Sequence, residues 1–203
     1  MRLEVAHRNR PCVGETVSGD AVWIGEWIHR PVFAVFDASG HGPEAHATSK
    51  LACEVLGRWD GTLDFPALAA KLHADLKGTR GTAVLVGVVD HVHKSGLAGA
   101  PREAVLRGFG VGNVELRALD RTISALLTPG ILGIRLRRRI HVFEIPLRAG
   151  DRLMAYSDGI RGRFDREYHE GLSPADLCDS LIRDHSRPHD DATVLVADVL
   201  DDA

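Results

Sequence analysis

A chain of 203 residues, 44% apolar and 26% charged, is long enough for one domain with a sizeable core and too apolar to be disordered as its main state. Its formal net charge of −3 gives no general attraction to nucleic acid or to an anionic membrane, and neither is expected as a partner. Met1 to Arg10 is charged throughout and lacks the apolar centre of a secretory signal, and no apolar stretch reaches bilayer length. Cys12, Cys53 and Cys178 have no paired spacing, so buried or incidental thiols in a cytoplasmic protein are expected.

In chain order, residues 3–9 alternate as a strand, and residues 21–28 form a second before the turn at His29-Arg30-Pro31. The turn-rich stretch between them delivers Asp20 to the start of the second strand. Residues 32–36 are a short apolar run bounded by turn residues, which predicts a buried third strand close enough to hairpin with the second. That pairing would bring Asp20 and Asp37 to one end of one sheet. After the turn Ala38-Ser39-Gly40-His41-Gly42, Pro43 suits a first helical position, and helices are predicted over 43–59 and about 66–76. Residues 82–89 read as a strand covered on both faces, and 91–101 as a loop. Strands are then predicted over 104–109, 114–119, 123–127, 140–145 and 152–156. A helix over 174–185, capped by Ser173, and a strand over 193–199 close the chain. A run of strands at this spacing argues for a sandwich or mixed sheets rather than an alternating doubly wound fold.

Asp37 sits where a core strand surfaces above a glycine turn, a rigid place for a hard cation that wants oxygen ligands. The plainer reading is a capping Asp in a strand-to-helix turn. Two further stretches bear on this choice. Ser157-Asp158-Gly159 ends another strand on Asp-Gly, and Asp190-Asp191 directly precede the last strand. If two sheets pack face to face, Asp20, Asp37, Asp158 and Asp190 could converge on one rim. Without a cation such a cluster repels itself and raises its own pKa values, and a divalent pair removes the conflict.

Other features have readings of their own. Gly108-Phe109-Gly110-Val111-Gly112 lacks the following helix of a nucleotide loop. His91 with His93, and His185 with His189, have no cysteine to complete a zinc set. Arg135, Arg137, Arg138 and Arg139 read as a solvated strand edge in preference to a docking patch. Arg161, Arg163 and Arg166 either steer a phosphoprotein toward a metal centre or form a charged surface loop.

The ordered set SGD, FDASGHGPEA, GTAVLVGVVD, GFGVGNVELR, LTPGILGI, GDRLMAYSDGI and HDDATVLVADV resembles the metal-dependent protein phosphatase 2C superfamily. More narrowly it is similar to the SpoIIE branch and its small stand-alone RsbX-type phosphatases, from about Gly19 to Val199. The resemblance implies an α/β (α+β) fold, a four-layer αββα sandwich of two mainly antiparallel sheets flanked by helices, as a single phosphatase domain over 1–203. It also implies two Mn²⁺ or Mg²⁺ ions and hydrolysis of phosphoserine or phosphothreonine in proteins. Asp37 would bridge both ions, Asp158 and Asp190 would complete the first site, and Asp20 with the main-chain carbonyl of Ala38 would bind the second. Asp191, Gly40, His41 and Gly159 would be supporting residues, and Arg161 and Arg163 would contact substrate.

Ala38 stands where the family usually has Gly, and a positive φ there would disfavour it. Asn113 falls where many relatives carry an Asp associated with a third metal, and its neutral amide argues against that site. The expected partner is a phosphorylated anti-sigma-factor antagonist or stressosome protein that regulates a sigma factor, met by a monomer. Two alternatives stand beside this: an inactive pseudophosphatase that only binds phosphoprotein, and a small-molecule phosphohydrolase.

Overall fold

The computed structural model describes residues 2–93, 102–162 and 171–201. In chain order they form β1 (Arg2–Arg10), β2 (Asp20–Trp27), β3 (Arg30–Ala38), α1 (Pro43–Gly57), α2 (Phe65–Asp75), β4 (Thr82–His93) and β5 (Arg102–Val111). β6 (Glu115–Ala118), β7 (Val142–Pro146), β8 (Arg152–Tyr156), α3 (Pro174–His185) and β9 (Ala192–Leu200) follow.

The strands make two antiparallel sheets, one ordered β1-β9-β8-β6 and the other β2-β3-β4-β5-β7. Period-2 alternation sends each central strand's side chains to two different cores. In β3, Val32, Ala34 and Phe36 pack among residues of α1 and α2, whereas Phe33 and Val35 pack between the sheets with Leu195 and Ala197 of β9. In β9 itself, Val194 and Val196 pack under Leu177 and Leu181 of α3. The layers are therefore helices, sheet, sheet and helix, the αββα sandwich expected from the resemblance.

The β2–β3 register is set by its turn. Trp27 faces Arg30 across a two-residue loop, and both loop residues, Ile28 at φ 50° and His29 at φ 60°, are left-handed. Two consecutive positive φ values give the hairpin the twist its strands need, although neither residue favours them. From that turn the ladder runs without interruption to Asp20 opposite Asp37.

Three sequence expectations differ from the structure. Residues 123–127 are not a strand: Ile123, Ala125 and Leu127 pack into the space between the sheets, and the segment joins a ladder only at Thr128, in an isolated parallel bridge to Val111. The alternation was real, but it marks filling of the interior and not pairing. The strand expected over 140–145 begins at Val142, and the arginines from 135 to 139 lie in the loop before it, not on a strand edge. Finally, 91–93 continue β4, while the rest of the expected loop lies outside the described residues.

Candidate metal centre

The β2–β3 register places Asp20 directly opposite Asp37, and Ala83 of β4 is Asp37's neighbour on its other side. Asp20 shares the parity of Val22, and Asp37 that of Phe33 and Val35, so both carboxylates belong to the face turned toward the second sheet. At the same end of that second sheet, β8 terminates and β9 begins. Ser157 donates its N–H to the Thr193 carbonyl at 3.0 Å, Asp158 follows, and Asp190 precedes β9.

One hydroxyl joins the sheets. Ser157 Oγ accepts from the Thr193 N–H at 3.0 Å and donates to Asp20 Oδ2 at 2.6 Å. Asp20 is nevertheless pushed up to about 7, by burial above all and then by Asp191 and Asp190, against the Ser157 hydrogen bond. Asp37 is pushed up to about 8, by burial and then by Asp20, Asp158 and Asp190. Asp190 is raised as well, by burial and by Asp158. The four aspartates foreseen at strand ends thus act on one another electrostatically.

The Oδ2 atom of Asp37 is buried and has no hydrogen-bond partner among the described residues. A carboxylate oxygen in that state, facing three other carboxylates, is unfavourable unless it is protonated or meets a cation. Its donor chemistry, all oxygen, fits Mg²⁺ or Mn²⁺. Among the described residues no three His, Cys, Asp or Glu side chains close around a single point. The arrangement therefore suits a hard cation that keeps much of its water, not an all-protein cage.

The expected supporting residues have definite contacts. Asp191 is buried and accepts from the Cys12 N–H at 2.8 Å and the Gly19 N–H at 2.7 Å, which fastens the loop carrying Asp20 to the start of β9. Ser49 of α1 holds the same loop by donating to the Gly19 carbonyl. A Cβ on Gly159 would lie 1.8 Å from the Asp191 carbonyl oxygen, so only glycine lets Asp158 approach this strand. Gly40 has φ 84° and turns the chain after β3. His41 Nδ1 lies 2.7 Å from Glu15 Oε1, a contact between loops at the start of α1. Ala38 sits in the β3 ladder opposite Thr82 and is not among the residues with positive φ, so the strain expected of it is absent.

The family model for Stage II sporulation protein E (SpoIIE) matches residues 29–200. The chain belongs to this family. Among solved structures, a chain from the study "The bacterial stressosome: a modular system that has been adapted to control secondary messenger signaling" is 28% identical, with a TM-score of 0.82 over 97% of this chain and 100% of that one. RsbX in complex with magnesium is 16% identical, with a TM-score of 0.76 over 97% of this chain and 94% of RsbX. The phosphatase domain of SpoIIE from Bacillus subtilis, with a fragment of its regulatory domain, is 20% identical, with a TM-score of 0.73 over 100% of this chain and 64% of that chain. No curated protein sequence matches.

Three residues of this SpoIIE-family chain have site contacts that sequence reasoning missed. Ser157 could have been found, because it shares strand parity with Leu153 and Ala155 of the inter-sheet core. Asn113, considered only as a lost ligand, donates from Nδ2 to Asp158 Oδ2 at 2.5 Å. Arg10 gave no local signal; its Nη2 reaches the carbonyls of Arg187 at 2.5 Å and Asp190 at 3.1 Å and braces the turn before β9. Arg161 lines a groove of about 480 Å³ with Arg187, Pro188, His189 and Asp190. Arg163 and Arg166 lie outside the described residues.

Proposed function

We propose that this SpoIIE-family chain is a metal-dependent phosphoserine/phosphothreonine protein phosphatase, a single phosphatase domain over residues 1–203 acting as a cytoplasmic monomer. The observation that carries the reading is Asp37 Oδ2, buried and unpartnered, with Asp20 opposite it in the ladder and Asp158 and Asp190 near enough to raise its pKa. Asp37 would bridge two Mn²⁺ or Mg²⁺ ions, Asp158 and Asp190 would hold the first, and Asp20 and the Ala38 carbonyl the second. Such a pair, when bound, supplies Lewis-acid activation of water and charge neutralisation at phosphorus. The protein's own part is positional. Ser157 orients Asp20, Asn113 orients Asp158, Arg10 fixes the Asp190 backbone, and Asp191 anchors the loop before β2. Arg161 and Arg187, beside Asp190, offer cations to the anionic substrate.

The substrate we favour is a partner-switching or stressosome regulator of a sigma factor. Support comes from the 28%-identical chain described for the bacterial stressosome, and the magnesium complex of RsbX favours the cofactor. The binding-only reading rested on Ala38, whose ordinary strand backbone withdraws that argument. The test is phosphate release from a phosphoserine protein and from 4-nitrophenyl phosphate, titrated with Mn²⁺ and Mg²⁺, for the native chain and Asp37→Asn. Metal-dependent release that the substitution abolishes supports the phosphatase, and a preference for the small ester points to the phosphohydrolase. Binding of phosphoprotein without turnover at any metal concentration sinks catalysis.

A further inference from the structure

The loop between β6 and β7 carries cations that the rest of the molecule does not use. From Arg121 to Phe143 the sequence has no Asp or Glu, yet Arg135, Arg137, Arg138, Arg139 and His141 fall within seven residues of it. All five are exposed and, with Leu136, line a depression of about 630 Å³. Several exposed arginines elsewhere are paired: Arg8 with Asp179, Arg58 with Glu54, Arg80 with Glu44. Among the described residues, the side chains of these four arginines have no hydrogen bond or ion pair. On a chain of net charge −3, a concentrated and unneutralised positive loop is a local reversal of the field.

Its placement ties it to the metal centre. Thr82, opposite Ala38 in the ladder, exchanges two backbone hydrogen bonds with Leu132, at 3.1 and 2.9 Å. The Ser39 N–H donates to the Gly81 carbonyl at 3.0 Å, and a Cβ on Gly81 would meet the Ile134 side chain at 2.9 Å. The loop is thus fastened, one strand away from the Asp37 turn, at the same end of that sheet. Apolar groups accompany the charge. Ile134 is 60% exposed and Leu126 62% exposed, and the His141 N–H donates to Thr128 Oγ1, which keeps the two arms of the loop together. Arginine beside exposed apolar side chains is a composition enriched at protein-binding surfaces.

We propose that residues 134–141 form a docking surface for the acidic face of a phosphoprotein, engaging it beside the metal centre while the phosphoryl group occupies that centre. This rests on the phosphatase reading and adds how the protein part of the substrate is held. The occupant is set by charge complementarity: a phosphorylated, acidic protein meets a cationic loop on an otherwise negative chain, which speeds encounter and fixes orientation.

The test compares the native chain with Arg137→Glu/Arg138→Glu/Arg139→Glu on three probes: phosphorylated casein, which is acidic; serine-phosphorylated histone, which is basic; and 4-nitrophenyl phosphate. We expect kcat/KM on phosphocasein to fall about 10-fold or more at low salt, the gap closing as salt rises, with the aryl phosphate unchanged and phosphohistone not reduced. A direct Kd for phosphocasein, read on metal-free protein, should weaken by a similar factor. An equal loss on all three probes, or an unchanged Kd at low salt, overturns the docking surface while metal-dependent turnover keeps the phosphatase. Absence of turnover in the native chain removes the phosphatase reading, and the Kd comparison then still decides whether the loop holds acidic phosphoprotein. Tighter binding of a single-stranded RNA than of phosphocasein, lost in the variant, assigns the loop to nucleic acid and overturns the proposal.

Discussion

Ser157 Oγ hydrogen-bonds Asp20 Oδ2 at 2.6 Å, a contact between residues 137 positions apart that links the two sheets at the end where the aspartates gather. Ser157→Ala leaves a buried carboxylate oxygen without its donor and the Thr193 N–H without its acceptor. The expected result is a loss of about 1–3 kcal/mol in stability and roughly 10-fold weaker Mn²⁺ affinity. Thermal melting and calorimetric metal titration read the two effects, and an unaltered affinity would confine Ser157 to structure.

Asp37→Asn should separate stability from function. It removes a carboxylate that burial and three neighbours oppose, so the metal-free protein at pH 8 should gain about 1 kcal/mol, or ~2–4 °C in Tm. The same protein should lose its metal-dependent turnover and most of its Tm response to Mn²⁺. A metal-free Tm below that of the native chain would contradict the repulsion on which the site is read.

Asp20 and Asp37, at about 7 and about 8, stand above the ordinary 3.8 in the metal-free fold. The folded state then holds protons more tightly than the unfolded chain, so this contribution to stability is complete below pH 4 and is lost as pH rises through 7 and 8. In chelator the Tm should fall across this window. Saturating Mg²⁺ or Mn²⁺ should flatten the fall, because the cations displace the same protons, and metal affinity should rise with pH. Melts from pH 5 to 9 with and without metal check it, and a pH-independent difference between them would count against the cluster.

Asn113 donates to Asp158 Oδ2, so Asn113→Ala should lower turnover about 10-fold with little change in stability at an exposed site. Asn113→Asp sets a second carboxylate against Asp158 and should also weaken turnover at low metal, with recovery as Mn²⁺ is raised. Steady-state rates over a metal titration distinguish the two variants.

The β2–β3 turn offers a stabilising change remote from the site. Ile28→Asn with His29→Gly supplies residues suited to two successive positive φ values and should add about 1 kcal/mol with activity intact. Chemical denaturation measures it, and a loss of activity would show that the register from Trp27 to Asp20 had slipped.

Much of the fold was legible because its signals are local. The runs at 32–36 and 82–89, the alternation of 3–9 and the Pro-led helices each declare themselves within a few residues, and so did the acidic strand ends at Asp37, Asp158 and Asp190. Residues 123–127 misled for the same reason, since alternation records which side chains are buried and not whether the backbone finds a partner strand.

By itself the sequence determined most of the strands, helices and turns, and that carboxylates sit where strands surface, since these follow from periodicity and turn chemistry. Only the tertiary structure decided that the carboxylates face one another, and that Ser157, Asn113 and Arg10 serve them across separations of 137, 45 and 180 positions. It also decided that the arginines of 135–139 stand unpaired among the described residues, on a loop fastened at the same end of the sheet as Asp37. Such partners meet only when one sheet packs on the other, and which side chains then lie within hydrogen-bonding reach is fixed by register and packing across the whole sandwich, which no local window of sequence contains.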